Sequence, residues 1–298
     1  ATITGSLMLA VYAVVNGNEA GWTSVSTLGL FALAALLFAV FIGIEVRVSA
    51  PLVPLALFRS RNVTTANVVG ILWAAAMFAW FFISALYLQR VLAYSPLQVG
   101  LGFLPANLIM AAFSVGLSAT IVMRFGIRVP LAVGLLLAAT GLMLFARAPV
   151  DGSFVVDVLP GMILLGLGAG MAFNPVLLAA MSGVAPGESG LASGVVNTSF
   201  MMGGALGLAI LASLASARTS ALQASGMDAL SALNSGYHRA FAVGAAFAAV
   251  AALLGVLFLR TGLHGAVRHE EEDDGGIDPD RGTQGVSGHA AESAASRI

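Results

Sequence analysis

Residues 64–88 read TTANVVGILWAAAMFAWFFISALYL, without one charged side chain. A helix rises about 1.5 Å per residue, so this stretch reaches about 37 Å, more than the roughly 30 Å of hydrocarbon in a bilayer. Working outward from it, seven further apolar runs occupy 1–15, 25–44, 97–122, 130–147, 158–182, 191–214 and 239–260. A soluble domain of this size has no use for eight such runs. The reading is an all-α polytopic membrane protein with eight transmembrane helices. Ala1 to Val15 covers only about 22 Å, so the first helix is expected to be truncated, with more sequence upstream.

Composition agrees. Hydrophobic residues make up 59% of the 298 and charged residues 9%, where about 25% charged is ordinary for a globular domain; mean hydropathy is +0.96. A formal net charge of −1 argues against nucleic acid as a partner, since phosphate binding needs clustered cations. With no Cys, disulfides and thiolate metal sites are excluded. All 13 basic residues are Arg. Loops after the second, fourth and eighth runs hold Arg47, Arg59, Arg61, Arg124, Arg128, Arg260 and Arg268; the opposite loops hold Arg90, Arg147, Arg218 and Arg239. That bias places the even-numbered loops and the C-terminus in the cytoplasm, with Trp22 as an interfacial anchor on the other side. From Thr261 onward, Glu270-Glu271-Glu272-Asp273-Asp274 and a Gly/Ser/Ala-rich stretch follow, and 263–298 are read as a disordered acidic tail.

Polar residues are unevenly shared. Run 64–88 carries Thr64, Thr65, Asn67 and Ser84, with Gln89 at its edge; run 97–122 carries Gln98, Asn107, Ser114, Ser118 and Thr120. Asn174 precedes Pro175 in 158–182, and 191–214 carries Ser193, Asn197, Thr198 and Ser199. The runs 25–44, 130–147 and 239–260 are nearly all apolar. A carboxamide left unpartnered in hydrocarbon is costly, so these groups face other helices or a wet cavity. Taken singly, each is as well explained by an interhelical hydrogen bond worth about 0.6 kcal/mol. As a set they point to a cavity, for which the candidate lining is Asn67, Tyr87, Gln89, Asn107, Asn174, Asn197 and Met201. Phe81, Phe82, Phe103 and Met202 are candidate soft contacts.

Pro105 and Pro175 each remove an internal hydrogen bond, as either a static kink or a break of the kind transporters place beside cavities. The pairs Gly166/Gly170, Gly190/Gly194 and Gly203/Gly207 are spaced for close helix contact. Gly166-Leu167-Gly168-Ala169-Gly170 has no strand before it, so it is not a dinucleotide loop. His238, His264, His269 and His289 are too scattered for a metal site, and no nucleophile elbow is present. No enzyme activity and no cofactor are expected. No Asp or Glu lies in the core of any run, Glu45 and Asp157 being at ends; a proton-coupling carboxylate is therefore expected outside these residues.

Several blocks, in order, resemble one family. Glu45-Val46-Arg47, Pro51-Leu52-Val53-Pro54-Leu55, Leu57-Phe58-Arg59-Ser60-Arg61, Leu86-Tyr87-Leu88-Gln89, Tyr94-Ser95-Pro96-Leu97, Gly100-Leu101-Gly102-Phe103-Leu104-Pro105, and Gly190-Leu191-Ala192-Ser193-Gly194 with Asn197-Thr198 look like the fourteen-span drug:proton antiporters of the major facilitator superfamily. The resemblance spans residues 1 to about 262. It implies a central helix pair and cytoplasmic loop (1–62), then the family's C-terminal six-helix bundle (63–262), with the N-terminal half missing. It implies four cavity helices, falling on the polar runs, and two peripheral ones, falling on 130–147 and 239–260. Met123 stands where the superfamily's loop motif has Asp, and Ser199-Phe200-Met201-Met202 stands where similar proteins often have Arg and Gln. The expected function is the C-terminal part of an exporter of drugs or small amphipathic molecules, proton-coupled and working by alternating access in the bacterial plasma membrane. Its partners would be the lipid bilayer, the small-molecule substrate and the missing half. The alternative is a non-transporting membrane scaffold.

Overall fold

In the computed structural model, residues 2–48, 59–182, 184 and 189–259 are described. Among them the chain is helical, with no strand. The helices are α1 (Thr2–Ala20), α2 (Val25–Glu45), α3 (Arg61–Leu86), α4 (Pro96–Gly102), α5 (Leu104–Ala112), α6 (Ser118–Phe125), α7 (Arg128–Phe145), α8 (Leu159–Met181), α9 (Ser189–Ala224) and α10 (Ala229–Phe258). Single π-helical turns follow α3 (Tyr87–Val91) and α5 (Phe113–Leu117) and precede α8 (Phe154–Val158).

Six of the eight apolar runs are helices long and apolar enough to cross a membrane. The other two depart from expectation for identifiable reasons. The first helix runs past Val15 to Ala20, but its apolar part, Thr2–Gly17, stays short. The fourth run is not one helix. Its chain turns at Phe103, and Pro105 stands in the first turn of α5, where a missing N–H costs nothing. Pro175, by contrast, lies inside an uninterrupted α8. The resemblance blocks over 51–58, part of the loop before α9, and the tail from 261 lie outside the described residues.

Helix ends are set by local chemistry. Ser95 and Gln98 form a capping box at α4: Ser95 Oγ accepts from the Gln98 N–H at 3.4 Å, and Gln98 Oε1 accepts from the Ser95 N–H at 2.8 Å. Gln98 is thus polar because it caps, not because it faces a cavity. Asp228 caps α10, accepting from the N–H groups of Leu230 and Ser231 at 3.1 and 3.0 Å. Gly226, at φ +88°, makes the left-handed turn between α9 and α10 that other residues resist. Arg218 and Arg239 were expected in that loop but lie within α9 and α10.

Helix α3 is the hub, packed against α8, α9 and α10. Its Trp73, Trp80 and Ile83, with Tyr87 of the π turn that follows, are among the largest fully buried side chains. Small residues let backbones meet elsewhere. A Cβ on Gly166 would stand 2.6 Å from the Ala106 carbonyl oxygen, and one on Gly203 would stand 2.7 Å from Ile71 Cα. These contacts seat α8 on α5 and α9 on α3, as the glycine spacing indicates. Arg61, opening α3, lies 5.2 Å over the Phe258 ring at the end of α10, so the bundle begins and ends on one membrane face. The pair α1–α2 is bound to itself by Ser6 Oγ donating to the Ala34 carbonyl (2.8 Å) and to the bundle by Ser213 Oγ donating to the Val14 carbonyl (3.0 Å).

Candidate functional site: two cavities sharing one wall

The first turns of α9 are sparsely packed. Between Ser189 and Met202 only Ala192 and Val195 are buried. Two cavities explain this. The smaller, about 400 Å³, lies among α3, α8 and α9 and is lined by Trp73, Phe173, Val176, Ser193, Asn197, Phe200 and Met201, with others. Ser193, Asn197 and Met201 recur every fourth residue and so share one face of α9. Phe173 and Phe200 meet edge to face, centroids 6.1 Å apart, and Phe78 meets Phe200 the same way at 6.2 Å. The result is an aromatic box with a carboxamide, a hydroxyl and a thioether on one side.

The larger cavity, about 860 Å³, separates the α1–α2 pair from α3 and α9. Phe38, Phe41 and Ile42 form one wall; Asn67, Ile71, Thr198, Met202 and Leu206 are among the residues forming the other. Gly194 lines both cavities. Among the described residues neither lining includes an ionisable side chain, and no group of His, Asp or Glu is placed to hold a metal. The linings are apolar and aromatic with a few uncharged polar groups, a character that suits soft, apolar or amphipathic ligands.

The structure separates the sequence candidates. Asn197 and Met201 line the smaller cavity and Asn67 the larger. Tyr87 lines neither: it is buried, and its hydroxyl donates to the Pro149 carbonyl at 2.8 Å, tying α3 to the turn before α8. Gln89 is exposed in the adjoining π turn, and Asn107 is exposed on α5, outside both linings. Asn174 Nδ2 donates to the Ser114 carbonyl at 3.2 Å, in the π turn after α5, and lies outside both linings. Phe81 and Phe103 stack at 5.4 Å against Trp80 in the core, Phe82 is a surface residue, and Met202 faces the larger cavity. Gly190 and Gly194 also depart from the close-packing expectation, since a Cβ on either would meet nothing within 4 Å.

Trp73, Phe173 and Phe200 were missed by sequence reasoning. Phe200 stands three residues after Asn197, and Phe173 precedes Asn174-Pro175; spacing to polar neighbours was the available signal. His238 lies within α10, its Nε2 2.8 Å from the Ala148 carbonyl oxygen that also accepts from Asn234 Nδ2 at 3.0 Å.

Comparison with known proteins agrees with this architecture. The profile of the Major Facilitator Superfamily matches residues 1–208. The puromycin resistance protein of Streptomyces alboniger is 34% identical over 257 residues, covering 86% of this chain and 50% of that protein. The cephamycin export protein of Amycolatopsis lactamdurans is 32% identical over 219 residues, 73% of this chain and 45% of the relative. A multidrug resistance protein of Mycobacterium tuberculosis is 33% identical over 211 residues, 71% and 39% respectively. The chain spans about half the length, or less, of these relatives. With six crossing-length apolar helices, packed cavities and a profile match over most of its length, the chain belongs to the Major Facilitator Superfamily, a family of multi-pass membrane transporters.

Proposed function

We propose that this chain forms the C-terminal part of a secondary active exporter of drugs or other small amphipathic molecules. The observation that carries the reading is the aromatic box of Trp73, Phe173 and Phe200 with Asn197 and Met201 on one wall. Such a wall accepts flat or amphipathic ligands through dispersion and one or two hydrogen bonds, without demanding one chemical outline. The names of two relatives, a puromycin resistance protein and a cephamycin export protein, support the same reading.

In this reading residues 63–262 are one half of an alternating-access pair, and 1–62 are the two helices and loop that join it to the other half. Binding occurs at the interface between halves, which rock about it. The protein sits in the bacterial plasma membrane with its C-terminus in the cytoplasm. Proton coupling resides on the other half, because neither cavity lining on this one includes a carboxylate among the described residues. The test is efflux in a pump-deficient bacterial host. The complete reading frame, extended upstream of Ala1, is expected to confer resistance to amphipathic antibiotics, and residues 1–298 alone to confer none. A complete product that reaches the membrane, confers no resistance and moves no dye would contradict the proposal and leave the scaffold reading.

A further inference from the structure

The aromatic box has a support that lies outside its lining. Phe200 meets Phe173 edge to face, centroids 6.1 Å apart and planes at 89°. It also meets Phe78 of α3, at 6.2 Å and 71°. Phe173 and Phe200 line the smaller cavity, whereas Phe78 lines neither. Three rings thus stand in a row, and the two at one end form the corner that a ligand meets.

The seat of Phe78 is a missing side chain on α9. Gly204 follows Phe200 by four residues and so lies on the same face of that helix. Gly203 faces Ile71 and Gly207 faces Ala75, so α3 and α9 run in the same direction. Long side chains lean back over the preceding turn of their helix, which carries the Phe78 ring down across Gly204 to Phe200. A Cβ on Gly204 would stand 2.7 Å from both Cγ and Cδ2 of Phe78 and 2.9 Å from its Cδ1, where carbons at rest sit about 3.5–4.0 Å apart.

Those three atoms are the near end of the ring, which moves only if the side chain turns or the helix retreats. Retreat is closed off, because α3 is packed against α8 and α10 as well as α9. One methyl group at position 204 therefore displaces the ring by about 1 Å and disturbs its contact with Phe200. We propose that Phe78, seated on Gly204, is a positioning residue for substrate: it fixes the ring of Phe200 and so sets how tightly the box grips a flat ligand. The grip on a ligand rests on the export reading above, while the support of one ring by another is tested apart from it.

Two measurements on the complete protein make the test. In the first, para-fluorophenylalanine replaces Phe200 and is read by fluorine NMR in detergent. The otherwise wild-type protein is expected to give one narrow resonance, which Phe78→Leu and Gly204→Ala broaden or split, and which Phe82→Ala on the exposed side of α3 leaves alone. In the second, efflux of the neutral planar dye Nile red from a pump-deficient host is measured over a range of loading concentrations. Phe78→Leu keeps most of the side-chain volume but has no ring; it should raise KM about fivefold, the factor one aromatic pair supplies, at unchanged maximal rate. Gly204→Ala should raise KM too, yet add nothing to Phe78→Ala, where the ring it displaces is gone. A narrow resonance that neither Phe78→Leu nor Gly204→Ala disturbs would overturn the positioning role whatever the dye does. Additive effects in the double variant, or a lower maximal rate at unchanged KM, would overturn it as well. The expected resonances with no dye exported by the wild type would overturn the grip on substrate together with the export reading, and leave Phe78 as the support of Phe200 alone.

Discussion

Helix α9 carries one glycine pair in its first turns and another in its middle, and the two pairs do opposite things. Gly203 and Gly207 sit against the backbone of α3 at Ile71 and Ala75, where a side chain has no room. Gly190 and Gly194 touch nothing within 4 Å of a built Cβ and open onto the cavities. Sequence spacing makes the pairs look equivalent. The difference comes from the neighbour: α3 approaches α9 closely along its middle, while the α1–α2 pair and α8 leave its first turns uncovered. One helix thus serves as both packing element and cavity wall.

The largest expected effect comes from breaking the packed half. Gly207→Val places a side chain on the Ala75 backbone and is expected to destabilise the fold by about 3 kcal/mol, at the upper end of overpacking costs. Gly194→Ala in the open half is expected to be neutral or to stabilise by up to about 1 kcal/mol, since it only removes a flexible helix position. Thermal unfolding of both variants in detergent checks the pair; similar losses in both would erase the distinction.

Next in size is Asn197→Trp, which fills the aromatic box from the α9 side. In the complete protein it is expected to abolish most drug resistance while membrane abundance stays at the wild-type level, read by dye efflux and immunoblotting. Tyr87→Phe sharpens the contrast from outside it. Losing the hydrogen bond to the Pro149 carbonyl should cost about 1 kcal/mol of stability and leave the resistance spectrum unchanged. A changed spectrum would return Tyr87 to the cavity.

The smallest effect lies where α9 gives way to α10. Hydrogen bonds from the Ser231 side chain, then from the Ser231 and Leu230 backbone, hold the Asp228 carboxyl below its ordinary pKa. A lowered folded-state pKa adds stability that is present above the unfolded value and lost as pH falls through the folded one. The protection of the Leu230 and Ser231 amides, measured as exchange relative to the free-peptide rate at each pH, should therefore fall on acidification through the carboxyl range. Asp228→Asn, which also caps helices well, should flatten that pH dependence.

Class and order of helices were legible because hydrocarbon thickness imposes run length directly. The glycine pairs of α8 and of the middle of α9 were legible because close approach demands small residues at helical spacing. Polar residues were less so. A carboxamide in a membrane helix answers several needs, and sequence alone does not say which. Asn174 satisfies a π-turn carbonyl, Gln98 caps and Tyr87 ties down a turn, and of the carboxamides among the described residues Asn197 and Asn67 line the cavities, beside hydroxyls such as Ser193 and Thr198. The aromatic walls were missed for the related reason that Phe173 and Phe200 look like any other apolar residue until a neighbouring helix leaves them partly uncovered, and the buried Trp73 looks like any core residue until the cavity beside it is seen. The break at Phe103 was hidden because apolar composition continues across it.

The measurement that tests the proposed site most directly is single-cysteine protection, since residues 1–298 contain no Cys and any Cys in the remainder of the complete protein is replaced by Ser. Ser193→Cys, Asn197→Cys and Met201→Cys are introduced one at a time into the complete protein, with the buried Ala209→Cys and Ala215→Cys for comparison. Each is exposed to a hydrophilic maleimide in membrane vesicles, with and without a drug the protein exports. The expected result is reaction at the first three positions, slowed by the drug, and none at the last two. Equal reactivity along the helix, or reaction at Asn197→Cys that no exported drug slows, would contradict the assignment of the first turns of α9 to the substrate cavity.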